Sequence, residues 1–92
     1  MNIIIIEDEI KSAKSLENII STIRPEARVI AKLLSIESAV AYFSEKEQPD
    51  LIFMDVQLSD GLCFEIFKSV KISSPVIFCT AFDEYSDRKS VV

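Results

Sequence analysis

The chain has 92 residues, which is one small domain with a single core. Apolar residues make up 49%, enough to fill that core, while a net charge of -5 excludes the basic face that sequence-independent nucleic-acid binding needs. Histidine is absent, which removes the usual zinc sites and nucleophile–base pairs, and no run approaches the apolar length of a membrane span. Residues 1–6 are a buried-strand pattern with no signal peptide before it, and Glu7-Asp8-Glu9 follows. Residues 9–23 place Ile10, Ala13, Leu16, Ile20 and Ile23 at helical spacing, with Lys11, Lys14, Ser15, Glu17 and Asn18 on the other face. Arg24-Pro25 ends that helix, because the residue before proline avoids the α region.

Residues 27–34 read as a second strand. Arg28 and Lys32 alternate with Val29 and Leu33, which suits a sheet edge. Ser35 is the expected N-cap of a helix reaching about Glu45, with Ile36, Ala39, Val40 and Phe43 inward. Leu51, Ile52, Phe53 and Met54 form an apolar run of strand length, a strand covered on both faces. Asp55 closes the run where a buried strand reaches the rim of its sheet. Gln57 to Gly61 are polar and turn-forming, so Asp55 is expected to face solvent at the mouth of a crevice. Asp60 is expected to cap a helix running to about Val70 and burying Phe64, Phe67 and Val70. Ser73-Ser74-Pro75 is a turn, and Val76–Cys79 is a fourth strand. Cys63 and Cys79 fit no metal spacing and read as reduced core thiols of a cytoplasmic protein.

Strand–helix alternation with short connections means a parallel α/β sheet. With right-handed crossovers and a central first strand, the order is 2-1-3-4, the first helix on one face and the second and third on the other. The chain reverses direction between strands 1 and 3, the switch point where open sheets bind ligands. Glu7, Asp8 and Asp55 then arrive on one rim. Three converging carboxylates repel, so a proton or a cation must sit among them. An oxygen-only cluster suits a hard ion such as Mg2+.

These features together resemble a known family. Ile6-Glu7-Asp8-Glu9 after the first strand, Met54-Asp55 after the third and Cys79-Thr80-Ala81 after the fourth look like the receiver domain of two-component response regulators. Thr80-Ala81-Phe82-Asp83-Glu84-Tyr85 is similar to the branch that often precedes a LytTR-type DNA-binding domain. The resemblance covers residues 1 to about 85 and implies a flavodoxin-like (CheY-like) doubly wound fold. It implies that Asp55 accepts a phosphoryl group from a sensor histidine kinase. It implies that Asp8 binds Mg2+ directly, that Glu7 does so mostly through water, and that the backbone carbonyl of Gln57 is a further ligand. It implies that Thr80 hydrogen-bonds the phosphoryl group.

Departures from the family pattern shape the remaining expectations. Ser59 stands where the family often has proline. The family continues with a fourth helix, a fifth strand ending in a phosphate-contacting lysine, and a fifth helix. Residues 86–92 do not follow that pattern, so the domain is expected to be an incomplete receiver over 1–85 with an atypical tail. Lys89 reads as a solvated tail charge rather than a replacement lysine. Without a fifth strand the fourth is an edge, and self-association through it is expected. Two other readings stay open. One is a degenerate receiver that binds Mg2+ and partners without sustained phosphorylation. The other is an aspartyl phosphohydrolase, disfavoured because such enzymes carry a second Asp where this chain has Gln57.

Overall fold

Four consecutive isoleucines, Ile3 to Ile6, make the centre of the molecule. β-Branched side chains pack well on a pleated sheet, and these four are at most 2% exposed, which only a strand covered on both faces allows. The computed structural model describes residues 1–79. Its elements in order are β1 (Asn2–Ile6), α1 (Ile10–Ile23), β2 (Arg28–Leu33), α2 (Ile36–Glu45), β3 (Leu51–Asp55), β4 (Gln57–Leu58), β5 (Gly61–Leu62), α3 (Phe64–Ser69) and β6 (Val76–Cys79). The main sheet runs β2-β1-β3-β6, with every pairing parallel. That is the expected 2-1-3-4 order, and with its helices it is the CheY-like receiver architecture.

Strand alternation divides the core between two faces. Ile4, Ile6, Ile52 and Met54 pack with Ala39 and Phe43 of α2 and Ile66 of α3. Ile3 and Ile5 pack with Ala13 and Ile20 of α1. In β2 a bulge between the partners of Ile3 and Ile4 lets Val29 join the α1 face while Ala31 and Leu33 join the other. Lys32 thereby reaches Glu17 of α1 at 2.6 Å.

The structure corrects two expected faces. Ile10 and Ile23 do not point inward: they are the first and last residues of α1 and are 68% and 69% exposed. The helix packs on β1 and β2, and its inward residues are Ala13, Leu16 and Ile20. In α3, Phe64 and Phe67 are not buried, being 47% and 38% exposed. Residues 57–62 form a two-stranded ribbon, so the helix starts only at Phe64 and lasts six residues. Its inward positions fall to Cys63 and Ile66, three apart, with Val70 packed behind them. The two phenylalanines stack instead on Phe78 of β6, with ring centroids 5.8 and 6.3 Å away. The expectations for Thr80, Lys89, the boundary at 85 and the tail 86–92 lie outside the described residues.

This reassignment sets an order of mutational costs. Ile66→Ala empties a fully buried position and is expected to cost about 3 kcal/mol. Phe64→Ala loses mainly one ring pair on a half-exposed surface and is expected to cost about 1 kcal/mol. Urea unfolding of both variants checks this, and the reverse order would restore the phenylalanines to the core.

Candidate phosphoacceptor and metal site

The parallel register of β1 and β3 pairs Ile6 with Met54. One step further along the same ladder, the next residues are Glu7 and Asp55. The backbone N–H of Glu7 donates to the Leu33 carbonyl at 2.9 Å, so β1 stays pinned to β2 as it leaves the sheet. The N–H of Val56 donates to the Cys79 carbonyl at 3.0 Å and pins β3 to β6 in the same way. Both acidic residues are thus placed by main-chain bonds.

Glu7, Asp8 and Asp55 each offer one carboxylate oxygen, and these three oxygens lie within 4.8 Å of one another. Asp55 is 2% exposed and Glu7 7%, with Asp8 half-buried at the opening. The expectation that Asp55 faces solvent is therefore corrected. The chain beyond it does not lead away as an open turn. It folds back, with the Cys63 N–H donating to the Val56 carbonyl at 2.8 Å and Leu58 of the ribbon buried. That return brings Cys63 near enough to Asp55 to feel its charge.

Burial is the main force on the Glu7 carboxyl, pushing it from the ordinary 4.5 up to about 7. The neighbouring charges of Asp55 and Asp8 push the same way, and the Glu9 N–H donated to the Glu7 carboxylate at 3.0 Å opposes them. Burial also raises both thiols, with the Asp55 charge adding at Cys63 and the charges of Asp55 and Glu7 adding at Cys79. Cys63 is a core thiol as expected, whereas Cys79 is only half-buried; neither is in a disulfide. The donor set fits Mg2+: all oxygen, concentrated negative charge, and burial that makes leaving the charge uncompensated costly. Each of the three carboxylates offers one oxygen to such an ion.

Gln57 lies two residues beyond Asp55, exposed, at the start of the ribbon. Thr80 follows Cys79, whose ladder partner is Asp55. The cap assigned to Asp60 is corrected. Its carboxylate accepts from the Ile36 and Glu37 N–H groups at 3.0 and 3.2 Å, so it sits on the N-terminus of α2 rather than α3. Nothing local in the sequence signals a contact across 24 residues.

The raised Glu7 carboxyl sets a pH dependence. Without metal, the folded state holds a proton on Glu7 that the unfolded chain releases near 4.5. This contribution to stability is full below 4.5 and is lost as pH rises through about 7. Glu7→Gln is expected to flatten that part of the profile. Urea midpoints measured in chelator from about pH 5 to about pH 8 check it; identical profiles for the two proteins would remove Glu7 as the cause.

A family model described as the response regulator receiver domain matches residues 3–92. The Bacillus anthracis sensory transduction protein LytT is 29% identical over 89 residues, covering 94% of this chain and 35% of that protein. Its Bacillus subtilis counterpart is 30% identical over 89 residues, covering 94% and 36%. The chain thus spans about a third of the length of these curated relatives. Among solved structures, the response regulator PhyR from Brucella abortus superposes with a TM-score of 0.72 at 27% identity, over 88% of this chain and 33% of that one. The solution structure of the Erythrobacter litoralis PhyR receiver domain gives 0.71 at 29% identity, over 95% and 65%. With its parallel 2-1-3-4 sheet and an acidic cluster at the switch point, this chain belongs to the response regulator receiver domain family, a signalling family of two-component systems.

Proposed function

We propose that Asp55 is a phosphoacceptor, loaded from the phosphohistidine of a sensor histidine kinase, and that the phosphorylated chain signals by a change of conformation. The observation that carries this reading is the position of Asp55 at the C-terminal end of a buried strand, with Glu7 and Asp8 within 4.8 Å. An Asp55 carboxylate oxygen attacks phosphorus as the bond from phosphorus to the donor's imidazole nitrogen breaks. The electron pair leaves with that nitrogen, and an acyl phosphate remains on Asp55. Asp8 and Asp55 would hold Mg2+ directly and Glu7 through water, with the Gln57 backbone offering a carbonyl. When bound, the ion neutralises charge on the transferred phosphoryl oxygens. Thr80 donates its hydroxyl to one of those oxygens. The chain acts on itself and turns over no free substrate beyond slow loss of the phosphate.

Two free cysteines support a reducing compartment, and the reading puts the chain in the cytoplasm. Among the described residues no helix is long and apolar enough to cross a membrane. We also propose self-association through β6. It is the edge of the sheet among the described residues, and its Ile77 and Phe78 are 45% and 47% exposed. A second copy of the chain pairs with that edge across a two-fold axis. Size-exclusion chromatography with light scattering tests this, and a monomer at every concentration would refute it.

Incubation with acetyl phosphate and Mg2+ is expected to add one phosphoryl group, read by intact-mass spectrometry, and none in Asp55→Asn. Asp8→Asn is expected to slow the modification about 10²–10³-fold through loss of one preorganised charge. A label that persists in Asp55→Asn refutes the site. Mg2+ binding with no acyl phosphate supports instead a module that binds metal and partners without phosphoryl transfer.

A further inference from the structure

The loop that follows Asp55 is fastened at both sides. Inside, Leu58 is 4% exposed and packs with α2 and α3, and the Val56 carbonyl accepts from Cys63. Outside, both Asp60 carboxylate oxygens accept from the first two N–H groups of α2. That helix already has a local cap, since Ser35 Oγ accepts from the Ser38 N–H at 3.0 Å. Ser35 satisfies the third N–H of the helix and Asp60 the first and second, groups no residue inside the helix can reach. Asp60 therefore does two things: it completes the cap of α2, and it ties that helix to the loop after Asp55. Gly61 shows how close the tie is. Its φ is +141°, and a Cβ added there would stand 3.1 Å from Ile36 Cδ1. The two N–H groups hold the Asp60 carboxyl below its ordinary value, so the acceptor stays charged.

Gln57 lies just before this clamp, paired with Leu62 in the ribbon and followed by the buried Leu58. We propose that Asp60 is a positioning residue of the metal site: by clamping the loop to α2 it fixes the backbone at Gln57, so that the carbonyl there meets the ion bound by Asp8 and Asp55. This rests on the metal reading of the preceding section. Mg2+ tolerates little departure from octahedral geometry, so a ligand carbonyl on a loose loop contributes little. Residues that orient metal ligands from outside typically change affinity 10–100-fold when lost.

The test is an amide NMR titration with MgCl2 on wild type, Asp60→Ala, Asp60→Asn and Ser35→Ala, with thermal melts of each. Asp60→Ala is expected to weaken Mg2+ about 10-fold. Asp60→Asn keeps one acceptor but sets an amide NH2 against the other N–H, so it recovers only part of the loss. Ser35→Ala removes a cap of the same helix without touching the loop, so it lowers the melting temperature and leaves Mg2+ affinity unchanged. If Asp60→Ala does not fold, Asp60→Ser takes its place, a turn former too short to span to α2. Wild-type affinity in the Asp60 variant, or equal weakening in Ser35→Ala, overturns the positioning role and leaves the metal site standing. A wild type that takes no Mg2+ overturns the metal site and this role together.

Discussion

Parallel pairing of β1 with β3 is the constraint from which the rest follows. It places Ile6 beside Met54, and so brings Glu7 and Asp55 out of the sheet side by side. Two carboxylates set there by main-chain hydrogen bonds cannot relax apart as surface side chains would. Their repulsion is held in place by the folding of the sheet, and it adds to the burial that lifts Glu7 to about 7. Packing energy from the isoleucine strand thus maintains an arrangement that electrostatics alone opposes. A hard cation or a proton is what such an arrangement accepts, and functional sites are where proteins concentrate this kind of strain.

Covering Asp55 changes what its charge can do. At an open rim, water would screen the carboxylates and leave little net effect. Asp55 is instead 2% exposed, and the chain doubles back beside it through Leu58 and Cys63. The same return creates the ribbon of β4 and β5, and the ribbon brings Asp60 within reach of α2. One local event, the chain doubling back after Asp55, therefore sets the dielectric of the site, the start of α3 and the tie to α2.

Legibility in the sequence follows the range of each interaction. Long periodic or continuous apolar segments, such as Ile3 to Ile6 and Leu51 to Met54, carry their own signal, so the strands and their order were readable. So was the meeting of Glu7, Asp8 and Asp55, because parallel topology converts strand ends into neighbours. The burial of Asp55 was not, since polar residues 57–61 look like an open turn and form a ribbon only through pairing of Gln57 with Leu62 and Leu58 with Gly61. Phe64 and Phe67 misled for a related reason. Their spacing is helical, but it is one residue out of phase with Cys63 and Ile66, and the phase is set by where the ribbon ends. Side-chain size argued for burial, while the register of a short helix decided against it.

Asp60 illustrates the last class of information, a local motif with a distant partner. An Asp ahead of a helical stretch reads as that helix's own cap, because local hydrogen bonds are the cheapest in chain entropy. Here Cys63 precedes α3 with no side-chain cap, and Asp60 serves α2. Two helices thus differ in what starts them. α2 has both a local serine and a borrowed carboxylate, whereas α3 is held by the burial of Cys63 and Ile66. Of these two, the better-capped helix is the one tied to the loop beyond Asp55, and α3 is the one whose outer rings reach β6. The connection on the α2 side is a pair of hydrogen bonds to one carboxylate, and on the α3 side the contacts are aromatic and half-exposed. Aromatic contacts of that kind reorient at lower cost than a pair of charge-assisted hydrogen bonds breaks. The loop beyond Asp55 is thus tied to α2 by charge-assisted hydrogen bonds, while α3 meets β6 through aromatic contacts.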